Sequence, residues 1–118
     1  MQRNVLNMNC GSRQVLNLIS DRWSVLIIYA LEDKALRYGE VQEVVTGISQ
    51  KMLTQSLKSL ERNGIVNREA FAEIPPRVEY SLTALGYTLF EPLKALCRWA
   101  EKNMDSVVAA RESFEEDL

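Results

Sequence analysis

The stretch GISQKMLTQSLKSLERNGIV, Gly47 to Val66, decides how this chain is read. If Ser49 opens a helix and Gly64 closes it, Leu53, Leu57 and Leu60 recur at i, i+4 and i+7 and form one apolar stripe. Lys51, Gln55, Lys58 and Arg62 then line the opposite stripe, with Thr54 at its edge and no acid along its middle. The first turn carries Gln50 and Lys51, although the positive end of the helix dipole favours Asp or Glu there. A phosphate docked at that end removes the conflict, because free amides and Lys51 all point at one anion. The outward side chains suit nucleic acid in other ways. Gln55 can bond adenine bidentately, and Lys51, Lys58 and Arg62 match guanine edges or phosphate oxygens. A merely solvated face accounts for any one of these residues. It accounts less well for the whole stripe within the order of elements around it.

Upstream, a helix is predicted over about 12–20, with Val15, Leu18 and Ile19 inward. Asp21 and Arg22 break it, and WSVLIIYALED from Trp23 follows as a second helix, apolar nearly all round and therefore buried. A short helix begins near Tyr38, with Val41, Val44 and Val45 as its apolar side, and Thr46–Gly47 ends it. Downstream the period changes. Val66–Phe71 and Arg77–Leu82 suit strands, and EIPP between them forces a stiff reversal, because Pro75 and Pro76 fix φ and cannot donate to a ladder. Thr83 then caps a long helix with Leu85, Leu89, Leu93, Leu96, Trp99 and Ala100 on one side, which Pro92 should kink or leave with one carbonyl unpaired. After Asn103 a last helix carries Met104, Val107, Val108 and Phe114 on one face. Trp23, Tyr29, Phe71, Tyr80, Phe90 and Trp99 all fall at positions expected to be inward, so core packing is their reading.

Helices of which the third and fourth are joined by a tight turn, followed by a β-hairpin, describe a winged helix-turn-helix. The fold class is mainly α with a small hairpin. The chain reads as one unit over 1–118, with a DNA-binding core and wing over about 10–82 and C-terminal helices over about 83–118. Those helices exceed the minimal module, and their apolar faces need a cover. A dimer partner over Leu96, Trp99, Met104, Val107, Val108 and Phe114 is the economical one.

At 118 residues and 47% apolar, the chain can bury a core without metals or disulfides. Its longest apolar run, VLIIYAL, is far short of a membrane span. The polar, Asn-rich start does not resemble a secretion signal, so a cytoplasmic protein with reduced Cys10 and Cys97 is expected. The net charge of −2 looks adverse to DNA until it is divided: residues 1–100 carry twelve Lys and Arg against ten Asp and Glu, residues 101–118 two against six. With no His, two distant Cys, no glycine-rich phosphate loop and no nucleophile elbow, an enzyme, a metal site or a cofactor has little to stand on.

Two further features bear on function. Arg77 follows the prolines on a stiff support and Arg68 stands on the preceding strand, so the wing can bring Arg to a minor groove or to the backbone beside it. For Arg68, a cross-strand pair with Glu79 or another acid is an equal alternative. Cys10 precedes the first helix by one or two residues, where the helix dipole and nearby Arg13 favour a thiolate; an inert thiol in a loose arm is the competing reading. Cys97 reads as a small core or interface residue.

DRWSVLIIYAL, RYGEV, GISQKML and PPRVEYSLT, in this order and spacing from Cys10 to about Trp99, resemble the HxlR-type family of bacterial winged helix-turn-helix transcriptional regulators, relatives of the MarR group. The resemblance implies homodimers on palindromic operators in double-stranded DNA, with Ser49–Arg62 in the major groove and the hairpin as wing. It implies that the N-terminal segment and last helices form the dimer interface. It also implies that a Cys matching Cys10 senses electrophiles, quinones or oxidants in several members. A proline commonly follows that Cys in the family; Gly11 stands here and loosens the helix start. In this scheme Lys51, Lys58, Arg62 and Arg77 attract phosphates, and Gln50, Thr54 and Gln55 discriminate bases. The alternative function is a winged-helix protein-interaction module without sequence-specific DNA binding; a small-molecule-binding protein or enzyme is a remote third.

Overall fold

The computed structural model describes residues 5–117. Its elements are α1 (Gly11–Ile19), α2 (Arg22–Ala30), β1 (Leu36–Arg37), α3 (Tyr38–Val44), α4 (Gln50–Arg62), β2 (Val66–Phe71), β3 (Arg77–Leu82), α5 (Ala84–Thr88) and α6 (Phe90–Glu116). The strands form one antiparallel sheet in the order β1-β3-β2.

Local chemistry sets the boundaries of α4. The Ser49 hydroxyl accepts from the Met52 N–H at 3.1 Å, satisfying one of the orphan donors of the first turn. At the other end Gly64 takes φ 77°, the left-handed region that glycine adopts without strain. This lets the Ile65 N–H reach the Leu60 carbonyl at 2.9 Å and the Gly64 N–H reach Glu61 at 3.1 Å, a Schellman stop. Ile65 is buried beside Leu60, as that motif favours. The inner stripe is as the spacing requires: Leu53, Leu57 and Leu60 lie in the core with Ile27 and Ile28 of α2, Leu31 at its C-cap and Val41 of α3. Gly47, at φ 88°, turns the chain between α3 and α4. Asp21 caps α2, its carboxylate accepting from the backbone and side chain of Ser24 at 3.2 and 3.0 Å.

The structure corrects several expectations. The hairpin is part of a three-stranded sheet, because Leu36 and Arg37 pair with Tyr80 and Glu79. The helix opened by Thr83 ends at Thr88, and a new one starts at Phe90. Pro92 therefore lies in the first turn of α6, where its missing N–H was not needed, and the first bond to Leu89 comes from Leu93 at 3.1 Å. Asn103 does not divide the C-terminal region. Its amide donates to the Trp99 carbonyl of its own helix at 2.9 Å, and α6 runs on for 27 residues. The α2 helix is not buried all round: Leu26 and Tyr29 are exposed, as are Val15, Val44 and Leu85, all expected inward. Trp99 is 60% exposed, against the expectation that it packs in the core.

Candidate nucleic-acid interface

The exposed face of α4 is built from residues that the core cannot use. With the leucines inward, the 3.6-residue period turns Lys51, Gln55, Lys58 and Arg62 to solvent, and all four are exposed. Among the described residues, none of the four makes a side-chain hydrogen bond or ion pair. Their donors are therefore available to a partner. Ser49 and Gln50 are exposed at the helix start, and Thr54 is half-buried at the edge of the stripe.

Tyr38 joins this face from α3, a residue that sequence reasoning did not single out for function. Its phenolic oxygen lies 2.9 Å from the Gln50 carbonyl and 2.8 Å from the Thr54 hydroxyl. It thereby ties the start of α3 to the first turns of α4. The tyrosine itself is legible in RYGEV; contacts 12 and 16 residues along the chain are not.

The wing supplies a second basic element. Arg68, exposed on β2, sits opposite Tyr80 rather than Glu79, and it lines a cleft of about 310 Å³ together with Lys58, Tyr38 and Thr54. The fold thus brings one cation of α4 and one of the wing to a shared groove. Glu61 also lines that groove, yet neither Lys58 nor Arg68 is ion-paired among the described residues.

Arg77 stands differently from its expected projection toward DNA. Its guanidinium lies 3.1 Å from Glu73 and 3.3 Å from Glu79, and it stacks on Phe71 with 4.1 Å to the ring centroid. The Nε contact to Glu79 is an ion pair without the alignment of a hydrogen bond. There is a local reason for this placement. The ladder puts Glu79 opposite Glu69, and like charges facing each other across strands are unfavourable. Arg77 relieves that pair from within the wing. At the tip itself Ile74 is fully exposed.

Cys10 occupies the N-cap position of α1 and is half-buried. Arg13 donates to the Leu6 carbonyl at 2.9 Å. Cys97, on α6, lines a separate cleft of about 590 Å³ with Leu26 and Tyr29 of α2 and Val44 of α3. Along α6, Leu96, Trp99, Met104, Val108 and Phe114 are all exposed and Val107 is half-buried. No helix among the described residues is long and apolar enough to cross a membrane.

A helix, a turn, a second helix with an exposed basic face, and a hairpin set against it define a winged helix-turn-helix transcriptional regulator. Known proteins agree. The family described as HxlR-like helix-turn-helix matches residues 18–108. The HTH-type transcriptional regulator YtfH of Escherichia coli (strain K12) is 43% identical over 109 residues, covering 92% of this chain and 86% of that one. The solved structure of the regulator ytfH from Salmonella typhimurium matches with a TM-score of 0.85 at 42% identity, over 94% of this chain and 99% of the other. The redox regulator HypR in its reduced form matches with a TM-score of 0.77 at 36% identity, over 83% and 97%. The chain belongs to the HxlR-like helix-turn-helix family.

Proposed function

We propose that the protein is a homodimeric repressor that reads a palindromic operator in double-stranded DNA, and that thiol-reactive or oxidising signals act through Cys10. The observation that carries the DNA reading is the exposed face of α4, where the side chains of Lys51, Gln55, Lys58 and Arg62 make no hydrogen bond or ion pair among the described residues, in a chain whose net charge is −2. Two copies related by a two-fold axis set their α4 helices about one DNA turn apart, roughly 34 Å, on successive major grooves. Lys51, Lys58 and Arg62 then meet phosphates, and the Ser49 hydroxyl, which only accepts within the cap, keeps its proton for another. Arg68 serves from the wing. Arg77 braces the wing and reaches a phosphate only by exchanging its carboxylate partners. Gln50, Thr54 and Gln55 face the bases.

The test is fluorescence anisotropy with a duplex from upstream of the protein's own gene and a scrambled one, at about 50 and 200 mM salt. Binding to the upstream duplex is expected to persist at the higher salt while scrambled binding fades. In the same assay Gln55→Ala should relax sequence preference, costing about 1–3 kcal/mol at one base pair per half-site. Equal losses on both duplexes would remove Gln55 from base reading.

Support for the Cys10 reading is its N-cap position on α1, beside a segment expected at the dimer interface, and the likeness to HypR, described as a redox regulator. Stoichiometric alkylation of Cys10, with Cys97→Ser to keep the chemistry to one thiol, is expected to weaken operator binding roughly 5- to 150-fold. Unchanged affinity would leave Cys10 without a sensing role.

A further inference from the structure

Hydroxyl protons can be counted at the junction of α3 and α4. The Tyr38 oxygen contacts the Gln50 carbonyl oxygen at 2.9 Å and Thr54 Oγ1 at 2.8 Å. A carbonyl only accepts, so the single phenolic proton goes to Gln50. The Thr54 hydroxyl must then donate to Tyr38, because no other assignment makes both contacts hydrogen bonds. In a helix a Thr hydroxyl ordinarily turns back to the carbonyl four residues earlier, here that of Gln50. Tyr38 occupies that carbonyl with its own proton and draws the threonine's proton to itself.

We infer that Tyr38 is a specificity-determining residue, acting through Thr54 by fixing its hydroxyl as an acceptor toward DNA. The inference rests on the reading of α4 as the recognition helix. With its proton committed, Thr54 presents lone pairs and a methyl group. It accepts from the exocyclic amino group of adenine or cytosine, and its methyl packs on that of thymine. It has no proton to offer N7 or O6 of guanine, or O4 of thymine. One base pair in each half-site is therefore read by a polarity set from α3, by a side chain that need not touch DNA. Tyr38 is here a positioning residue, and the geometry asks nothing of its charge.

The experiment is selection of bound sequences from a randomised palindromic duplex library with the full-length protein, comparing wild type, Tyr38→Phe, Thr54→Val, their combination, and Gln55→Ala. Tyr38→Phe keeps the ring that packs against the core and removes only the hydroxyl. It is expected to lose roughly fivefold or more of the discrimination against guanine at one base pair per half-site, leaving the other positions as they were. Added to Thr54→Val, it should change nothing further at that base pair. A uniform fall in affinity with an unchanged profile, or an equal shift in the Thr54→Val background, overturns the inference. If Gln55→Ala alters its own base pair and Tyr38→Phe alters none, only the role of Tyr38 falls. If neither alters any, α4 is not the reading helix and the inference falls with that assignment. Should Tyr38→Phe fail to fold, Thr54→Val decides alone: a profile unaffected by loss of the hydroxyl overturns the proposal.

Discussion

Replacing both Leu96 and Trp99 by Asp is expected to yield a folded monomer whose affinity for a palindromic operator has fallen roughly 10²- to 10⁴-fold. Both side chains are largely exposed in the single chain, 63% and 60%, so charging them leaves the buried residues of α2, α4 and the sheet in place. What they disturb is the outer face of α6, a helix of 27 residues and therefore about 40 Å long. Met104, Val108 and Phe114 continue that face, and Leu26, Tyr29 and Val44 extend it around the neighbouring cleft. Large apolar side chains exposed together on one helix mark an interaction site, and a two-fold axis lets one face cover itself. Two buried carboxylates on each side of such an interface have no partner and oppose it strongly. The monomer keeps one α4 and one wing, so it loses the second half-site that tethering otherwise supplies at high effective concentration. Light scattering gives the mass and anisotropy the affinity. A variant of dimeric mass that still holds its operator would move the interface off this face.

The parts of the fold that were legible in the sequence are those whose determinants are local. The α4 helix was readable from end to end because Ser49, the leucine spacing and Asn63–Gly64 each act within a few residues. The wing strands were readable from alternation and two prolines. By contrast, β1 has only two residues, too few to show any period, and exists because β3 offers it an edge. Pro92 was misplaced for a related reason. A proline inside an apolar helical pattern and a proline in the first turn of a new helix look alike until the end of the preceding helix is known. Asn103 likewise reads as a breaker, yet its amide is satisfied by its own helix.

The candidate site divides along the same line. Which side of α4 faces out follows from periodicity alone. Which outward charges remain available does not. Arg77 had the better sequence argument for DNA and is held by Glu73, Glu79 and Phe71, a set brought together by hairpin register. Arg68 had the weaker one and carries no ion pair among the described residues, because the register places Tyr80 and not Glu79 across from it. Apolar pattern had a similar limit in α2 and α6. It tells that a face avoids water, and cannot tell whether the same chain or another copy covers it. Leu26, Tyr29 and Trp99 were assigned to the core on that ground and lie outside it.

Gly86→Ala is expected to lower stability by about 2–4 kcal/mol, although alanine is the better helix former. Gly86 is buried in α5, and a Cβ there would be driven into the Ile65 backbone carbonyl, with Leu82 Cδ2 a further 3.2 Å contact. Leu82 could turn aside; the carbonyl cannot, because it accepts from the Thr83 N–H at 3.0 Å. The Thr83 hydroxyl gives its one proton to the nearer Gly64 carbonyl at 2.6 Å, with the Ile65 carbonyl oxygen at 3.1 Å, and accepts from the Gly86 N–H at 3.0 Å. Room for one methyl therefore has to come from backing α5 away from the end of α4, which loosens these bonds together. Overpacking of this kind costs about 1–3 kcal/mol and occasionally more, while the gain in helix propensity is about 1. Lost bonds to two backbone carbonyls add about 1 kcal/mol each, so the unfavourable terms win. For a chain of this size the melting temperature should fall by roughly 10 °C. Because α5 leads directly into α6, shifting it is expected to tilt α6 as well, so the variant should also bind the operator more weakly at temperatures where it remains folded. An unchanged Tm would mean that α5 yields without cost, and that the angle between the DNA-reading face and the α6 face is not held at Gly86.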